Sequence, residues 1–317
     1  MTLVFSHVPK TAGTSLRATL TSQFRKRKVL LDYGPESDFT SDAVRHLIYE
    51  ENDFYKFGEY LRKKRIKLVA GHFDSYRYAP LVGSQNVISV IREPSSRILS
   101  EYKHLQRMGR YNNSFDSFIK ENGSINKQVK WLGNIKLPLL GFVGITESYG
   151  SSIDLLNKLY GLKLKNLELN KTSVNSKETL SIKVLEDIRR LNRLDGMFYQ
   201  KVNSWMDIIQ EQLIKSDILV RGWVDYDKNA DSYVGACWLD SRLNGSLDVS
   251  SIAEVQVKVD DKTVLSVAAN KYNKYVAQYS SIRNGYVGFV IPASSMPKGE
   301  KIEFVNSFNK CRLFGSP

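Results

Sequence analysis

Residues 3–20 read LVFSHVPKTAGTSLRATL and combine three local structural signals. The apolar start predicts a β-strand, Pro9 and Gly13 predict a tight loop, and Leu16 and Leu20 recur at the spacing of a helix. The stretch therefore predicts a strand, a short loop and a helix in immediate succession.

A loop of this kind is a natural anion site. It directs several backbone N–H groups, together with the positive end of the following helix, at one place. Lys10 adds a mobile positive charge, and Thr11, Thr14 and Ser15 add hydroxyl donors. The sequence therefore predicts a phosphate or sulfate cradle directly after the first strand.

Length and cysteine content bound the architecture. The 317 residues favour two domains, since a domain typically holds roughly 100–200 residues. Cys237 and Cys311 are too few for a disulfide framework, and no Cys/His group has the spacing of metal ligands. We expect a reducing compartment and a site without a metal ion.

The charge is large and uneven. The chain carries a net charge of +13, of which residues 221–317 contribute only +2. Such a surplus attracts nucleotides, nucleic acids, acidic glycans or membrane faces. Part of it is interpreted as ordinary solvated surface, since the runs 25–28 (RKRK) and 62–67 (RKKRIK) have the character of exposed helix ends or loops. With no apolar run near the ~18 residues of a membrane span and no secretory pattern before the first strand, we expect a cytoplasmic protein.

Three further apolar runs, at residues 29–34, 67–73 and 86–94, predict strands separated by helical segments, and a helix is predicted from Pro94 to about residue 107. This alternation predicts an α/β fold with a parallel sheet flanked by helices. In such sheets ligands collect beyond the carboxyl ends of the strands. The loop, His72 and Arg92 should therefore share one edge.

Arg92 opens a second candidate site, REPSSRILSEYKHL. Ser100 lies eight residues further on, about two helical turns along the predicted helix. An arginine fork and a hydroxyl near a helix start can hold a second phosphate, whereas an exposed arginine before an N-terminal proline is the simpler structural alternative.

Both segments resemble known sulfotransferase motifs. HVPKTAGTSL resembles the phosphosulfate loop of the heparan and chondroitin sulfate branch, H-[IV]-P-K-[TS]-[GA]-[GS]-T-S, and lacks the Gly-Lys-Ser/Thr ending of a Walker loop. REPSSRILSEY resembles the 3′-phosphate motif R-[DE]-P-x-x-R-x-x-S-x-[YF] of the same enzymes. The matched positions of this second motif are Arg92, Glu93, Pro94, Arg97, Ser100 and Tyr102.

The resemblance implies a P-loop-type parallel sheet and the cofactor 3′-phosphoadenylyl sulfate (PAPS). Lys10 and the loop amides would hold the 5′-phosphosulfate, and Arg92 and Ser100 the 3′-phosphate. The loop residues concerned are Thr11, Ala12, Gly13, Thr14, Ser15 and Leu16. Weaker similarities occur at residues 126–132, 142–147, 169–176 and 192–202.

Relatives of this type place their general base at a position similar to His72, which ends the third predicted strand after Gly71. An acceptor hydroxyl must lose a proton, and a group that titrates near neutral pH removes it best. Lys10 would stabilise the charge on the leaving phosphate. Glu93 and Glu147 are the alternative bases. His7 is expected to brace the loop, and His46 and His104 receive no role.

Residues 219–317 predict a second domain, after a first domain at residues 1–218. Period-two alternation with turns at DDK, RNG and PKGE predicts a β-sandwich. The segment resembles a small β module appended to bacterial glycan-modifying enzymes. Four tyrosines, Tyr272, Tyr275, Tyr279 and Tyr286, either stack on sugars or pack in the domain.

Together these features favour a PAPS-dependent sulfotransferase acting on a hydroxyl of a carbohydrate or another small acceptor. One alternative is a P-loop kinase, which predicts dependence on ATP and Mg²⁺. Another is a non-enzymatic, basic glycan-binding protein. A nucleic-acid partner is not expected, because basic residues and aromatics do not interleave in an RNA-binding pattern. The acceptor and the oligomeric state stay open.

Overall fold

The computed structural model describes residues 1–121, 123–166, 180–243, 248, 251–296 and 301–316. The chain forms two compact units: Met1–Lys136 with Leu140–Val202, and Leu137–Leu139 with Asn203–Pro317. The similarity at residues 169–176 and the predicted turn PKGE at residues 297–300 lie outside the described residues.

The first unit is built on a parallel sheet, which in the described residues has five strands. The strands are β1 (Leu3–Ser6), β2 (Val29–Asp32), β3 (Leu68–Gly71), β4 (Val87–Ile91) and β5 (Phe142–Ile145). Their order across the sheet is β2-β3-β1-β4-β5. Every residue of β1, β3, β4 and β5 is buried, which explains why these strands are continuous apolar runs in the sequence. The predicted α/β class with a parallel sheet is confirmed.

Helices connect and flank these strands. They are α1 (Gly13–Ser22), α2 (Asp42–Val44), α3 (Phe54–Lys63), α4 (Ala79–Val82), α5 (Pro94–Arg107), α6 (Phe115–Phe118), α7 (Lys127–Leu132), α8 (Tyr149–Tyr160), α9 (Ile182–Leu191) and α10 (Arg193–Lys215). A π-helical turn covers Arg45–Glu50, and 3₁₀ turns cover Lys26–Lys28, Ser75–Arg77, Ser84–Asn86, Leu137–Leu139 and Thr146–Ser148. No helix in the described ranges is long and apolar enough to cross a membrane.

The start of α5 follows from its sequence. Pro94 occupies the first helical turn, where its fixed φ fits and no hydrogen bond is lost. The carboxylate of Glu93 accepts hydrogen bonds from the N–H groups of Ser95 and Ser96, at 3.0 and 2.8 Å. Helix α5 therefore begins at Pro94, two residues after Arg92, as predicted.

Strand order determines which side chains meet. Strand β1 lies between β3 and β4, and its last residue, Ser6, is in register with Gly71 at the end of β3. A side chain at position 71 would overlap the carbonyl of Asp32 at the end of β2, so glycine is required there. Since the strands are parallel, the residues that follow their carboxyl ends lie at one edge of the sheet.

The second unit contains two antiparallel sheets in the described residues. Its strands are β6 (Val220–Asp227), β7 (Ser232–Leu239), β8 (Glu254–Val259), β9 (Lys262–Ala268), β10 (Lys271–Tyr272), β11 (Tyr286–Pro292) and β12 (Ile302–Asn306). One sheet has the order β10-β11-β7-β6 and the other β12-β8-β9. Val224, Phe289 and Phe304 belong to one buried cluster, so residues of both sheets share a core.

Turn chemistry explains part of this unit. Asp260 and Asp261 have φ of 49° and 65°, the left-handed conformation that a tight hairpin needs at both central positions. The turn predicted at DDK therefore connects β8 and β9. Three elements were not predicted: β7, β10 and a short helix, α11 (Lys274–Tyr279). For β7 the reason is that it is a largely buried central strand, whose run SYVGACWL does not alternate.

Candidate functional site

The loop between β1 and α1 has an unusual backbone. Lys10 and Ala12 have positive φ values of 70° and 61°, and Ala12 is the N-cap of α1. No side chain caps this helix start in the described residues. The first-turn N–H groups of α1 are therefore not used by a cap, which suits the predicted anion cradle.

Individual loop residues contribute differently. The Thr11 hydroxyl is buried and donates to the carbonyl of Val8 at 2.8 Å, so it stabilises the loop. Thr14 is exposed and Ser15 is buried. The N–H of Leu16 already donates to the carbonyl of Ala12 at 3.3 Å, and the Leu16 side chain lies in the core.

His7 lies beneath the loop. Its ring is almost fully buried and stacks on Phe5 with centroids 5.5 Å apart. Gly13 packs so closely on the His7 ring that any β-carbon at position 13 would overlap it. Burial, followed by the proximity of His72 and Arg17, lowers the pKa of His7 to about 3. His7 is therefore a neutral packing residue that supports the loop, in agreement with the expectation from the sequence.

His72 stands beside His7 at the edge of the sheet. The two ring centroids are 4.7 Å apart, and the rings of Tyr33 and Trp131 flank His72 at 4.6 and 6.0 Å. The backbone N–H of His72 donates to the carbonyl of Asp32 at 2.8 Å. Solvent reaches the ring, although aromatic groups surround it on three sides. This arrangement fixes His72 while leaving it accessible to a substrate.

The charge around His72 is positive. Partial burial, followed by Lys127 and Arg17, lowers the pKa of His72 to about 4. The guanidinium of Arg17 donates to the hydroxyl of Tyr33 at 3.0 Å and lies 5.4 Å from the centre of its ring. His72 is consequently neutral at physiological pH and has a lone pair that can accept a proton.

Arg92 follows β4 at the same edge. Its side chain is 31% exposed, and its Nε lies 3.9 Å from a carboxylate oxygen of Glu147. The same carboxylate oxygen of Glu147 accepts a hydrogen bond from the backbone N–H of Glu93 at 3.1 Å. Both alternative bases thus serve structural contacts, since the Glu93 carboxylate caps α5.

Lys10 and Arg92 follow neighbouring parallel strands, β1 and β4, at the same edge of the sheet. Burial, followed by Arg107 and then Arg92, lowers the pKa of the half-buried Lys10. Both arginines therefore lie within electrostatic reach of the Lys10 ammonium. Like charges that act on one another repel, so an anion bound between Lys10 and these arginines would relieve the repulsion.

Helix α5 carries Ser100, His104 and Arg107 at spacings of four and three residues, which places them on one face. Burial, followed by the positive charges of Lys10 and Arg107, lowers the pKa of His104. Ser100 itself has no hydrogen-bond partner in the part of the chain that the structure describes. Sequence analysis missed His104 and Arg107, although their helical spacing from Ser100 was visible.

Arg97, the other arginine of the second motif, has a structural role. It is fully buried, and its guanidinium donates to Glu101 and, at 2.9 Å, to the carbonyl of Ser124. Lys127 also contacts Glu101, so one carboxylate joins two cations. Burial by itself would raise the pKa of the Glu101 carboxyl, but the positive charges of Arg97 and Lys127 outweigh this effect and lower the pKa. This network attaches α5 to the segment that leads into α7.

Four tyrosines of the second unit fall into two pairs. Tyr272 and Tyr286 face each other across β10 and β11 with ring centroids 5.4 Å apart, and they are 57% and 53% exposed. Tyr275 and Tyr279 are less exposed and pack on each other, and Tyr275 also packs on Trp223. The first pair is accessible to a ligand, and the second contributes to packing.

Two further observations concern the site's identity. No group of three or more potential ligands could hold a metal ion among the residues described. Comparison with known proteins found no matching family model, no matching curated protein and no matching solved structure.

Proposed function

We propose that this protein is a PAPS-dependent sulfotransferase that transfers a sulfuryl group to a hydroxyl of a carbohydrate or another small acceptor. The supporting observation is the strand order β3-β1-β4: the loop with Lys10, His72 and Arg92 follow the carboxyl ends of three neighbouring parallel strands. At this edge the α1 start has no side-chain cap and His72 is accessible. PAPS carries anionic groups at both ends of its ribose, which matches two cationic positions on one edge.

In this proposal the first unit is of the P-loop type. Lys10 and the loop amides of residues 11–15 hold the 5′-phosphosulfate, and Arg92 and Ser100 hold the 3′-phosphate. The α1 start has no side-chain cap, and the Ser100 hydroxyl has no hydrogen-bond partner among the described residues, so both can contribute donors. Leu16 supports the loop from the core, because its N–H is already bonded to Ala12.

The reaction is an in-line displacement at sulfur. The acceptor oxygen forms a bond to sulfur while the bond between sulfur and the bridging oxygen of the 5′-phosphate breaks. His72 takes the proton of the acceptor hydroxyl, and the electron pair of the broken bond remains on the phosphate. Lys10 neutralises the negative charge that develops on that oxygen.

Cofactor binding also makes His72 a better base. With a pKa of about 4, the resting imidazole is neutral but weakly basic. A bound polyanion offsets the repulsion from Lys127 and Arg17, because a nearby negative charge favours protonation of a histidine. The pKa of His72 therefore rises towards the neutral range only when the cofactor is in place.

For the second unit we propose a β-sandwich that assists acceptor binding. The accessible rings of Tyr272 and Tyr286 form a platform of the kind that stacks on sugar rings. The double substitution Tyr272→Ala/Tyr286→Ala should raise the KM for a glycan acceptor and leave cofactor affinity unchanged. An unchanged KM would remove this unit from acceptor recognition.

The decisive experiment compares ligands by thermal unfolding. Adenosine 3′,5′-bisphosphate should raise the melting temperature in the presence of a chelator, because a ligand at about 100 times its Kd stabilises the native form by about 2.7 kcal/mol. ADP with Mg²⁺ should have little effect. Lys10→Ala and Arg92→Ala should abolish the shift, whereas the exposed control Lys201→Ala should retain it.

Transfer itself is measured with sulfur-labelled PAPS and a panel of glycans in chelator. Incorporation of label by the wild type and its loss in Lys10→Ala would support the proposal. Stabilisation by ADP with Mg²⁺ but not by the bisphosphate would overturn it in favour of a kinase.

A further inference from the structure

Two basic runs that are far apart in the sequence meet in the fold. Residues 25–28 (RKRK) lead into β2, and residues 62–67 (RKKRIK) lead into β3. Because β2 and β3 are parallel neighbours, their entry segments lie side by side. The N–H of Lys67 donates to the carbonyl of Lys28 at 2.8 Å, and the ammonium of Lys28 donates to the carbonyl of Lys64. We call these two runs together the basic edge.

The basic edge concentrates charge. It contains nine lysines and arginines and no acidic residue. All of these cations except Lys28 are exposed. Arg62 and Lys63 form ion pairs with Glu59, but in the described residues the other seven cations pair with no carboxylate. Gathering so many like charges is unfavourable for the isolated protein and is expected where an anionic surface binds.

Local structure accounts for only a small part of this cluster. Arg62 and Lys63 lie in the last turn of α3, where cations interact favourably with the helix dipole. Residues 25–28 have no such role, since their 3₁₀ turn is too short to build a significant dipole. The larger part of the basic edge therefore has no explanation within the fold.

The basic edge lies at the amino ends of the strands, opposite the candidate site. Strands β2 and β3 each have four residues, so roughly 13 Å of sheet separates the two edges. A partner bound at the basic edge would not cover His72 or the β1–α1 loop. The surface is therefore separate from the proposed cofactor site, and the inference does not depend on the proposed function.

The composition of the basic edge indicates which anion it recognises. Neither run contains an aromatic, amide or hydroxyl side chain, and its single apolar residue, Ile66, is buried. The runs therefore have no aromatic platform on which bases or sugar rings stack and no amide side chain that pairs with adenine, so their lysines and arginines act mainly through charge. Recognition by charge alone suits a dense array of phosphate headgroups, for which clusters of four to eight cations are sufficient.

We propose that the basic edge binds the surface of membranes that contain anionic phospholipids. The protein then lies on the membrane through the amino ends of its parallel strands, and the candidate site at the other edge faces the solvent. Each cation near such a surface increases the affinity about fivefold, and salt weakens the effect because it screens the charges.

The test is co-sedimentation with vesicles of phosphatidylcholine, with or without about one third phosphatidylglycerol. The wild type should bind only the anionic vesicles, and added salt should release it. Two triple variants probe the two runs: Arg25→Gln/Lys26→Gln/Arg27→Gln and Lys63→Gln/Lys64→Gln/Lys67→Gln. Each should lower the affinity by about 100-fold. Both variants keep Lys28, whose ammonium bonds to the backbone.

The matched control is Lys183→Gln/Arg189→Gln/Lys201→Gln, which removes the same charge from exposed positions on α9 and α10. It should bind anionic vesicles within about threefold of the wild type. Equal losses in the control and the test variants would overturn the proposal, because net charge alone would then explain binding. Equal binding to neutral vesicles, or tighter binding to RNA or heparin than to anionic vesicles, would also overturn it. Unchanged melting temperatures would establish that all variants are folded.

Discussion

The side-chain amide of Gln128 holds the backbone of Arg92 from both sides. Its Oε1 accepts a hydrogen bond from the Arg92 N–H, and its Nε2 donates to the Arg92 carbonyl, both at 2.8 Å. Gln128 is itself fully buried at the start of α7, where Asp195 accepts hydrogen bonds from two backbone N–H groups. The position of Arg92 at the end of β4 is therefore determined by a residue 36 positions later.

Substituting Gln128 by Ala should displace Arg92. Two backbone groups of Arg92 would lose their partner, at about 1–3 kcal/mol each, so we expect a stability loss of roughly 2–6 kcal/mol. Displacement of the guanidinium should weaken binding of adenosine 3′,5′-bisphosphate by at least about tenfold. Calorimetric titration measures the affinity, and thermal unfolding measures the stability.

The second unit offers a matched control for this substitution. Gln212 holds the backbone of Val220 in the same way, with hydrogen bonds of 2.7 and 2.9 Å. Gln212→Ala should lower stability by a similar amount and leave bisphosphate affinity unchanged. If both variants lose affinity equally, the effect of Gln128 is general destabilisation and not the positioning of Arg92.

His72→Ala should lower the turnover number by at least about 100-fold, because general base catalysis contributes about 10²–10⁴-fold. Cofactor affinity should stay nearly unchanged, since the imidazole acts on the acceptor. His46→Ala is the control, because His46 is exposed and contacts only Glu50 and Glu51 in the described residues. Wild-type turnover in His72→Ala would remove His72 from the mechanism.

Acid should destabilise the protein before its carboxylates titrate. The pKa of His7 is about 3 in the folded protein, against about 6.5 in an unfolded chain. The unfolded state thus binds a proton that the folded state does not, and stability falls as the pH decreases from about 6.5 to 3, by at most about 1.4 kcal/mol per pH unit for His7.

Urea unfolding between pH 7 and 4 measures this slope. His7→Phe, which stacks on Phe5 without titrating, should reduce the slope but not abolish it, because His72, with a pKa of about 4, contributes with the same sign. The exposed control His46→Phe should not reduce it. A slope that is the same in His7→Phe and wild type would show that His7 ionises in both states.

Gly13→Ala should disrupt the loop, because the added methyl group would overlap the buried His7 ring. We expect a stability loss of about 1–3 kcal/mol, typical of overpacking, and loss of bisphosphate binding. Gly196→Ala is the control, since Gly196 lies in α10 with no atom within 4 Å of the added carbon. It should be neutral or stabilise the protein by up to about 1 kcal/mol. Equal cofactor affinity in Gly13→Ala and wild type would show that the loop accommodates the added methyl group without losing its binding conformation.

Hydrophobic pattern and turn residues were sufficient for much of the fold. The runs that became β1, β3 and β4 are continuous and apolar, and the Glu93-Pro94 pair marks the start of α5. Strand β7 was not predicted because its run SYVGACWL shows neither alternation nor a long β-branched run. The edge strand β10 is only two residues long, which is too short for any periodic signal.

The residues of the candidate site likewise include some that the sequence predicted and some that it did not. Lys10, His72 and Arg92 follow predicted strands, so the parallel topology was enough to assign them to one edge. Tyr33, Trp131 and Lys127 could not be predicted as neighbours of His72, because they come from segments with no pattern that specifies their direction.

The amino-acid sequence by itself determined the strands, the β1–α1 loop and the order of the chemical groups along the chain, because local sterics and apolar periodicity act over short stretches. Only the tertiary structure decided which distant groups meet: Gln128 with Arg92, His7 with His72, and the two halves of the basic edge. Those pairings depend on strand order and side-chain packing, which arise from the free energy of the whole chain and leave no signature in any single segment.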